Sequence, residues 1–272
     1  MSTYDDRPPR QITSPANPRV KWLQSLRKRR TRDVERLAII EGYDELVLAL
    51  DAGVRPRSLF HSPAALVADS HGVIDRVTQL GGEIVELGEA AFARASYRES
   101  PDGWLAVVRE PTTDLAELHL GPNPLVLVCE AIEKPGNLGA MLRTAEAAGV
   151  DAVIAASPVA DWGNPNVVQS SKGTVFAVQV AAASSDDVLT WLRGHGLRIV
   201  AATPEATSLI TDLDLSAPTA VVVGAEHEGV STLWLDAADD AARLPMFGHV
   251  NSLNVATSAA IVIYEALRQR SS

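Results

Sequence analysis

The second half of the chain alternates short apolar runs with stretches of helical character, and this rhythm constrains the fold most. The runs are rich in Ala and β-branched residues and cover 125–129, 152–156, 177–182, 198–202 and 220–223. Helical patterns lie between several of them, notably at 138–148 and 186–194, and a long helix is predicted over 253–270. Buried strands that alternate with helices indicate a parallel sheet covered on both faces.

The first half predicts a smaller α/β unit. Strands are expected at 37–40, 58–61, 83–87 and 104–108, with helices at 43–52 and 73–80. The stretch PTTDLAELHLGPNP has prolines at both ends, which favours a linker. We therefore expect a first domain over 1–110, a linker over 111–124 and a second domain over 125–272.

Composition excludes several classes of protein. No run reaches the roughly 18 apolar residues of a membrane span, and the N-terminus lacks the apolar core of a signal peptide. These features predict a soluble, cytoplasmic protein with no membrane partner. The single cysteine, Cys129, excludes an internal disulfide framework and a cysteine-rich zinc site. The six histidines show no ligand spacing, so no metal site is predicted.

Charge is distributed unevenly along the chain. Between Arg7 and Arg36, ten Lys or Arg face two acids, so this segment carries +8 and the rest −18, for a total of −10. The total argues against a nucleic-acid partner, whereas the asymmetry suggests a basic arm on an acidic body. A solvated charge run without a partner explains the same pattern, and charge alone leaves both interpretations open.

A helix is predicted within this basic segment. Asn17 is a suitable N-cap and Pro18 suits the first helical position. Val20, Leu23 and Leu26 recur at helical spacing and would hold the helix against a body while cations face outward. RNA phosphate is the natural ligand for such a face. The candidate RNA-binding residues are Arg19, Lys21, Arg27, Lys28, Arg29 and Arg30.

Three segments end a predicted strand with polar or Gly-rich sequence, where open α/β sheets bind ligands. In EAIEKPGNLGAMLRT, Gly136 and Gly139 permit close backbone approach to a ligand, and the helix start offers free N–H groups. The segment is neither a GxGxxG fingerprint nor a Walker loop. A loop of this kind, taken alone, is more often a tight turn than a binding site.

The other two segments are VVVGAEHEGVS and LPMFGHVNSLNV. The first places Glu226 between two glycines, which serves a turn as well as a site. The second enters the last helix through Asn251, Ser252 and Asn254. One Ser or Asn there is expected as an N-cap, but a second Asn is less readily explained because Asn is a poor helix former.

Together these segments resemble a known family. GNLGAMLRTAEAAG, GAEHEGVS and LPM…SLNV are similar, in order and spacing, to the three signature motifs of the SpoU (TrmH-like) RNA 2′-O-ribose methyltransferases of the SPOUT superfamily. NPNVVQSSKGTVFAV resembles the link between the first two motifs. ITSPANPRVKWLQSL, IIEGYDELVLAL and SPDGWLAVV resemble the accessory RNA-binding domain, similar to ribosomal protein L30e, that many members carry.

The resemblance implies a fold, a cofactor and a partner. The fold is an α/β trefoil knot behind a smaller L30e-like α/β domain, which a strand pattern cannot reveal because knots are rare. The cofactor is S-adenosylmethionine, and members are homodimers whose active site is completed between the two knots. Matching cofactor positions are Thr203, Gly224, Leu244, Met246 and Leu253.

The resemblance also implies a catalytic set, in which a ribose 2′-oxygen attacks the cofactor methyl group. Family accounts make the arginine of the first motif, here Arg143, a general base. A guanidinium is normally a fixed cation, so positioning an RNA phosphate and stabilising the developing alkoxide is an equal alternative. The remaining residues would orient the loops. The full set is Asn137, Arg143, Glu226, Ser252 and Asn254.

The chain departs from the family pattern at three positions. Lys134 precedes Pro135 where relatives often have Asp-Pro, and Glu133 adjoins it. Gln169 stands where an arginine is common, which puts one RNA contact in doubt. Ala256 follows SLNV where serine is usual.

Rival interpretations come from other classes. A non-catalytic RNA-binding protein on the same fold would not need the third motif, and a nucleotide-dependent oxidoreductase would need the glycine fingerprint that is missing. Among enzymes, the accessory domain favours 23S ribosomal RNA over transfer RNA as substrate. A transfer-RNA 2′-O-methyltransferase stays an alternative, and so does a role in antibiotic resistance.

Overall fold

The predicted strands of the first half form one sheet. The computed structural model describes residues 10–66, 68–69 and 71–271. The strands are β1 (Arg10–Ile12), β2 (Leu37–Glu41), β3 (Ser58–His61), β4 (Glu83–Leu87) and β5 (Trp104–Arg109). Their order is β1-β4-β3-β5-β2. The β1, β4 and β3 strands run parallel, and β5 is antiparallel to β3 and β2.

An apolar stripe holds the basic segment onto this sheet. Val20, Leu23 and Leu26 are fully buried in one cluster with strand and helix side chains such as Val85 and Phe92. The predicted N-cap is confirmed, because Asn17 Oδ1 accepts the Arg19 N–H at 2.9 Å. The helices are α1 (Pro18–Ser25), α2 (Arg29–Glu35), α3 (Tyr43–Asp51), α4 (Val73–Gln79) and α5 (Glu89–Ala95).

The basic segment is two helices rather than the one expected. It breaks between Ser25 and Arg29. The buried guanidinium of Arg32 donates to the carbonyl oxygens of Leu26 at 3.1 Å and Arg27 at 2.8 Å. These bonds satisfy carbonyls at the end of the first helix, as helix ends require.

The second half confirms the predicted parallel sheet. Its strands follow the order β10-β12-β9-β11-β6-β7-β8, and every neighbouring pair is parallel. Sequence periodicity did not predict β10 or β12, which are short and partly polar. The strands are β6 (Leu125–Glu130), β7 (Ala152–Ala156), β8 (Gln179–Ala183), β9 (Arg198–Ala202), β10 (Ser208–Leu209), β11 (Thr219–Val223) and β12 (Asp240–Arg243).

Helices cover this sheet. Val126, Ile154 and Val222 belong to a core cluster that also contains side chains of α8 and α9, whereas α6 and α10 pack against each other and contact the strands. Short 3-10 turns occur at Leu115–Glu117, Thr174–Phe176 and Ile210–Asp212. In chain order, the helices of the second half are α6 (Pro135–Ala148), α7 (Pro165–Ser170), α8 (Ser185–Gly194), α9 (Thr232–Ala237) and α10 (Val255–Arg270), and α7 is not among those that cover this sheet.

The chain divides into two compact units. One contains residues up to Glu110 together with Gly163–Gln169, and the other contains Pro111–Trp162 and the residues from Ser170 onward. Among the described residues, no helix combines the length and the hydropathy that crossing a membrane requires. The trefoil knot stays a prediction.

Candidate active site

Parallel strands bring three loops to one edge of the second sheet, where a cavity opens. The loops follow β9, β11 and β12, whose carboxyl ends lie together. The cavity has a volume of about 570 Å³, within the range of small-molecule sites. Each residue of the predicted cofactor set lines it. Three of the five predicted catalytic residues line it as well, namely Glu226, Ser252 and Asn254.

A chain of hydrogen bonds joins the three sequence motifs at the cavity. The Asn137 amide nitrogen donates to the Glu226 carboxylate, and the Asn254 amide nitrogen donates to Asn137 Oδ1 at 3.2 Å. Asn254 Oδ1 in turn accepts the backbone N–H groups of Ala256 at 2.9 Å and Thr257 at 3.4 Å, which caps α10. The first, second and third motifs are therefore oriented by one another.

Lys134 joins this chain of bonds, although in the sequence it stands out only as a departure from the family pattern. Its ammonium group contacts the Glu226 carboxylate and is itself exposed. The hydrogen bond from Lys134, more than the one from Asn137, lowers the pKa of Glu226. The carboxylate is therefore ionised near neutral pH. The contact links residues 92 positions apart, so no local pattern could have indicated it.

The Gly224–Ser231 loop (the motif-two loop) folds back tightly on itself. A Cβ atom added to Gly224 would lie 2.0 Å from the Gly229 carbonyl oxygen. The Gly229 N–H donates to the Ala225 carbonyl at 2.9 Å, and Gly229 has φ +69°, a left-handed conformation that favours glycine. The glycines therefore serve the turn, and the turn places Glu226 at the cavity.

The glycines of the first motif have different surroundings. A Cβ on Gly139 would lie 2.6 Å from the backbone nitrogen of Ser171, whereas one on Gly136 would have no neighbour within 4 Å. The expectation that both glycines admit a ligand is therefore wrong for Gly139, because a neighbouring segment of the chain occupies that space.

Thr203 is the first residue after β9, where the loop begins, and it is buried. Its hydroxyl group donates to the carboxylate of Glu205, which also lines the cavity. This hydrogen bond lowers the pKa of Glu205. Glu205 was not predicted as a site residue, and its only signal in the sequence is an acid three residues beyond the end of β9.

Arg143 lies apart from the other predicted catalytic residues. It is exposed on α6 and does not line the cavity. From Asn137, six helical residues rotate a side chain by roughly 240° and advance it by about 9 Å. Asn137 and Arg143 of one chain therefore point in different directions from α6.

The candidate RNA-binding cations of the first unit fall into two groups. Arg19 forms a bidentate ion pair with Glu83 at 2.6 Å. Arg27 donates to the carbonyl oxygen of Ala95 at 2.8 Å and lies over the Tyr97 ring, so the expectation that it faces outward is wrong. Arg29 is exposed and lies 3.8 Å from Asp33. Of these candidates, Lys21, Lys28 and Arg30 are exposed, and no ion pair joins them to another described residue.

Known proteins resemble both units. The model of the SpoU rRNA Methylase family matches residues 124–264, and that of the MRM3-like substrate binding domain matches residues 17–106. The chain is 29% identical to the 23S rRNA (guanosine(2553)-2'-O)-methyltransferase RlmP of Bacillus subtilis, over 94% of this chain and 98% of that protein.

Solved structures agree. An RNA 2′-O ribose methyltransferase matches with a TM-score of 0.82 and 41% identity, over 96% of this chain and all of that chain. An AdoMet-bound rRNA methyltransferase from Sinorhizobium meliloti matches with a TM-score of 0.87 and 28% identity, over 95% of this chain and 97% of that chain. The fold, the site and these relatives define an RNA ribose methyltransferase that uses S-adenosylmethionine. The chain belongs to the SpoU rRNA methylase family.

The cavity fits this cofactor chemically. S-adenosylmethionine combines a flat base with a sulfonium cation and an amino group. Leu244, Met246 and Leu253 supply apolar lining, and the carboxylates of Glu205 and Glu226 supply negative charge. Apolar walls with a few placed polar groups are typical of cofactor sites.

Proposed function

We propose that this chain methylates a ribose 2′-hydroxyl of 23S ribosomal RNA and works as a homodimer. The observation that carries the proposal is the hydrogen-bonded chain Glu226–Asn137–Asn254 at the rim of the cavity. A cavity that only binds RNA has no need to hold three separate loops in register. The relatives support the choice of RNA, because the names of several specify 23S rRNA.

The cofactor site follows from the cavity lining. Thr203, Gly224, Leu244, Met246 and Leu253 hold S-adenosylmethionine, which supplies the methyl group when bound. The ionised Glu226 keeps the Asn137 amide turned so that its oxygen accepts from Asn254. Ser252, at the rim, fixes the third loop beside the incoming ribose. These residues bind and orient, and positioning errors of about 1 Å can reduce a rate by roughly two orders of magnitude.

Arg143 supplies positive charge to the reaction. Since a guanidinium stays protonated, its role is to hold an RNA phosphate and to stabilise the oxyanion that develops at the 2′-oxygen. Another group or water accepts the proton. Because Arg143 lies off the cavity of its own chain, it acts in the cavity of a second copy.

The surface of the second unit supports self-association. Ile261 and Tyr264 lie on the exposed face of α10, with 43% and 50% of their surface exposed. Phe247 is 98% exposed and Val250 62% exposed in the loop that leads to this helix. Exposed apolar patches of this kind mark protein interfaces. A second copy of the same chain covers them in the proposed dimer and places Arg143 beside its partner's cavity.

The first unit binds the RNA substrate. Lys21, Lys28 and Arg30 are exposed and available to phosphate, whereas Arg19 and Arg27 stabilise the unit itself. Residues 1–110 are the proposed substrate-binding domain, 111–124 the linker and 125–272 the catalytic domain. A cytoplasmic location follows from the proposed substrate.

Methyl transfer to fractionated RNA tests this proposal. The protein would be incubated with tritiated S-adenosylmethionine and total bacterial RNA from a strain that lacks its own copy of the gene. We expect label in 23S RNA. Label in transfer RNA instead would keep the chemistry and overturn the substrate. Cofactor binding without any labelled RNA, followed by failure with intact ribosomal subunits and assembly intermediates, would favour the non-catalytic RNA-binding protein.

A further inference from the structure

Glu130 is a buried acid at the carboxyl end of β6, and only 6% of it is exposed. Its two carboxylate oxygens accept hydrogen bonds from one residue. The Ser231 backbone N–H donates to Oε2 at 2.8 Å, and the Ser231 hydroxyl donates to Oε1 at 2.5 Å. Burying a carboxylate is unfavourable unless its oxygens are paired, so this geometry makes Ser231 the group that holds the anion.

Ser231 is the last residue of the motif-two loop and the N-cap of α9. Its hydroxyl group makes no capping bond within the helix, because it points to Glu130. The loop therefore has an anchor at its end, in addition to the backbone contact between Ala225 and Gly229. Glu226 lies inside the turn that the Ala225–Gly229 contact closes, five residues before Ser231.

We propose that Glu130 is a positioning residue, which sets the place of Glu226 by anchoring the motif-two loop through Ser231. This inference rests on the proposed function, since it assigns Glu130 a part in that reaction. An apolar side chain would fill a buried site with no desolvation penalty, so packing alone does not account for an acid at this position. The anchor does, because the two oxygens of the carboxylate accept both donors of Ser231 at once.

Substitution of Glu130 removes the anchor and is expected to lower kcat. Without the two bonds the loop loses its anchor at Ser231, and the bonds of Glu226 to Asn137 and Lys134 must hold its place alone. A displacement of about 1 Å at a reacting centre lowers a rate by roughly 10²-fold. Glu130→Ala is therefore expected to lower kcat by about that factor. In Glu130→Gln the amide oxygen can still accept the Ser231 N–H, and the amide nitrogen can donate to the Ser231 hydroxyl oxygen, which also accepts. This variant is therefore expected to recover most of the loss.

The first experiment compares kcat for Glu130→Ala, Glu130→Gln, Glu226→Ala and the double variant Glu130→Ala/Glu226→Ala. If Glu130 acts through Glu226, the double variant is no slower than Glu226→Ala, because residues that act as a unit are non-additive. Losses that multiply would mean that Glu130 acts elsewhere and would overturn the proposal. So would a Glu130→Gln variant that loses as much kcat as Glu130→Ala.

Ser231→Ala keeps the proposal testable if Glu130→Ala fails to fold. The exposed Ser231 loses only its hydroxyl bond, and we expect roughly a tenfold loss of kcat that vanishes in the Glu226→Ala background. Ser184→Ala is the matched control, since Ser184 caps α8 by accepting the Asp187 N–H at 3.2 Å. It is expected to lower stability with kcat unchanged. Equal kcat for Ser231→Ala and wild type would overturn the proposal.

Amide hydrogen exchange separates this proposal from the proposed function. The Ser231 N–H donates to Glu130, so its exchange should accelerate at least tenfold in Glu130→Ala while amides of β11 stay protected. Unchanged exchange at Ser231 would overturn the anchor whatever the activity. Faster exchange in a protein that methylates no RNA would keep the anchor and reject the proposed function.

Discussion

Gly224→Ala tests the packing of the motif-two loop against the cavity. The added Cβ would lie 2.0 Å from the Gly229 oxygen and 2.3 Å from the Val230 nitrogen. Real Cβ atoms essentially never approach closer than 3.0 Å, so the two arms of the loop must part by at least about 1 Å. Both contacts are backbone atoms, which cannot rotate away as a flexible side chain would.

The magnitude follows from that displacement. Overpacking of this kind typically lowers the free energy of unfolding by about 1–3 kcal/mol. The same shift moves Glu226 and the cavity wall, and we expect kcat/KM to fall by about 10²-fold. Tritium transfer from S-adenosylmethionine to RNA measures the rate, calorimetry measures cofactor affinity, and thermal unfolding measures stability.

A matched control tests whether the effect comes from the position of the added methyl group or from the Gly-to-Ala substitution itself. Gly194 ends α8, and a Cβ there meets nothing within 4 Å, so Gly194→Ala should leave activity and cofactor affinity unchanged. Wild-type kcat/KM and cofactor affinity in Gly224→Ala would refute the packing argument.

Three further predictions address charge and assembly. Lys134→Asp should raise the KM for RNA several-fold, since it replaces the cation beside Glu226 by an acid. A KM equal to or below that of the wild-type protein would contradict this reasoning. Arg143→Ala and Glu226→Ala should each lower kcat by at least about 10²-fold. Co-expression of the two variants should restore part of the activity, because a mixed dimer contains one site with both residues intact. If isolated mixed dimers show no recovery, the two subunits do not share a site. Lys28→Gln should reduce the salt dependence of RNA binding, measured by filter binding, by about one phosphate contact, and an unchanged slope would remove Lys28 from the interface.

The strands of the second half were predictable because each is a local, apolar, β-branched or Ala-rich run. The ends of β7 and β9 agree with the prediction to the residue. The strand β12 (Asp240–Arg243) gave no such signal, since DAAR is short and half polar, and only its neighbours in the sheet make it a strand. The break between α1 and α2 likewise depends on Arg32, a basic residue that the charge pattern indicates as exposed.

Most of the site residues could be predicted from the sequence, but the hydrogen bonds and ion pairs between them could not. Eight of the ten predicted catalytic and cofactor residues line the cavity, whereas Asn137 and Arg143 do not, and Glu205 was not predicted. The ion pair of Lys134 with Glu226 and the anchor of Ser231 on Glu130 join residues about a hundred positions apart, and no periodicity encodes such contacts. Arg143 is a residue that the motif includes but whose direction the motif does not predict. The resemblance puts it in one catalytic set with Asn137, whereas helix geometry directs the two side chains of one chain differently.

The most direct test of the central claim is the position of the transferred methyl group. Tritium-labelled 23S RNA would be hydrolysed in alkali, which cleaves RNA through the free 2′-hydroxyl. A methylated 2′-oxygen blocks that cleavage, so ribose methylation leaves the label in alkali-resistant dinucleotides, which is the result we predict. Label released as mononucleotides would place the methyl group on a base and contradict the account.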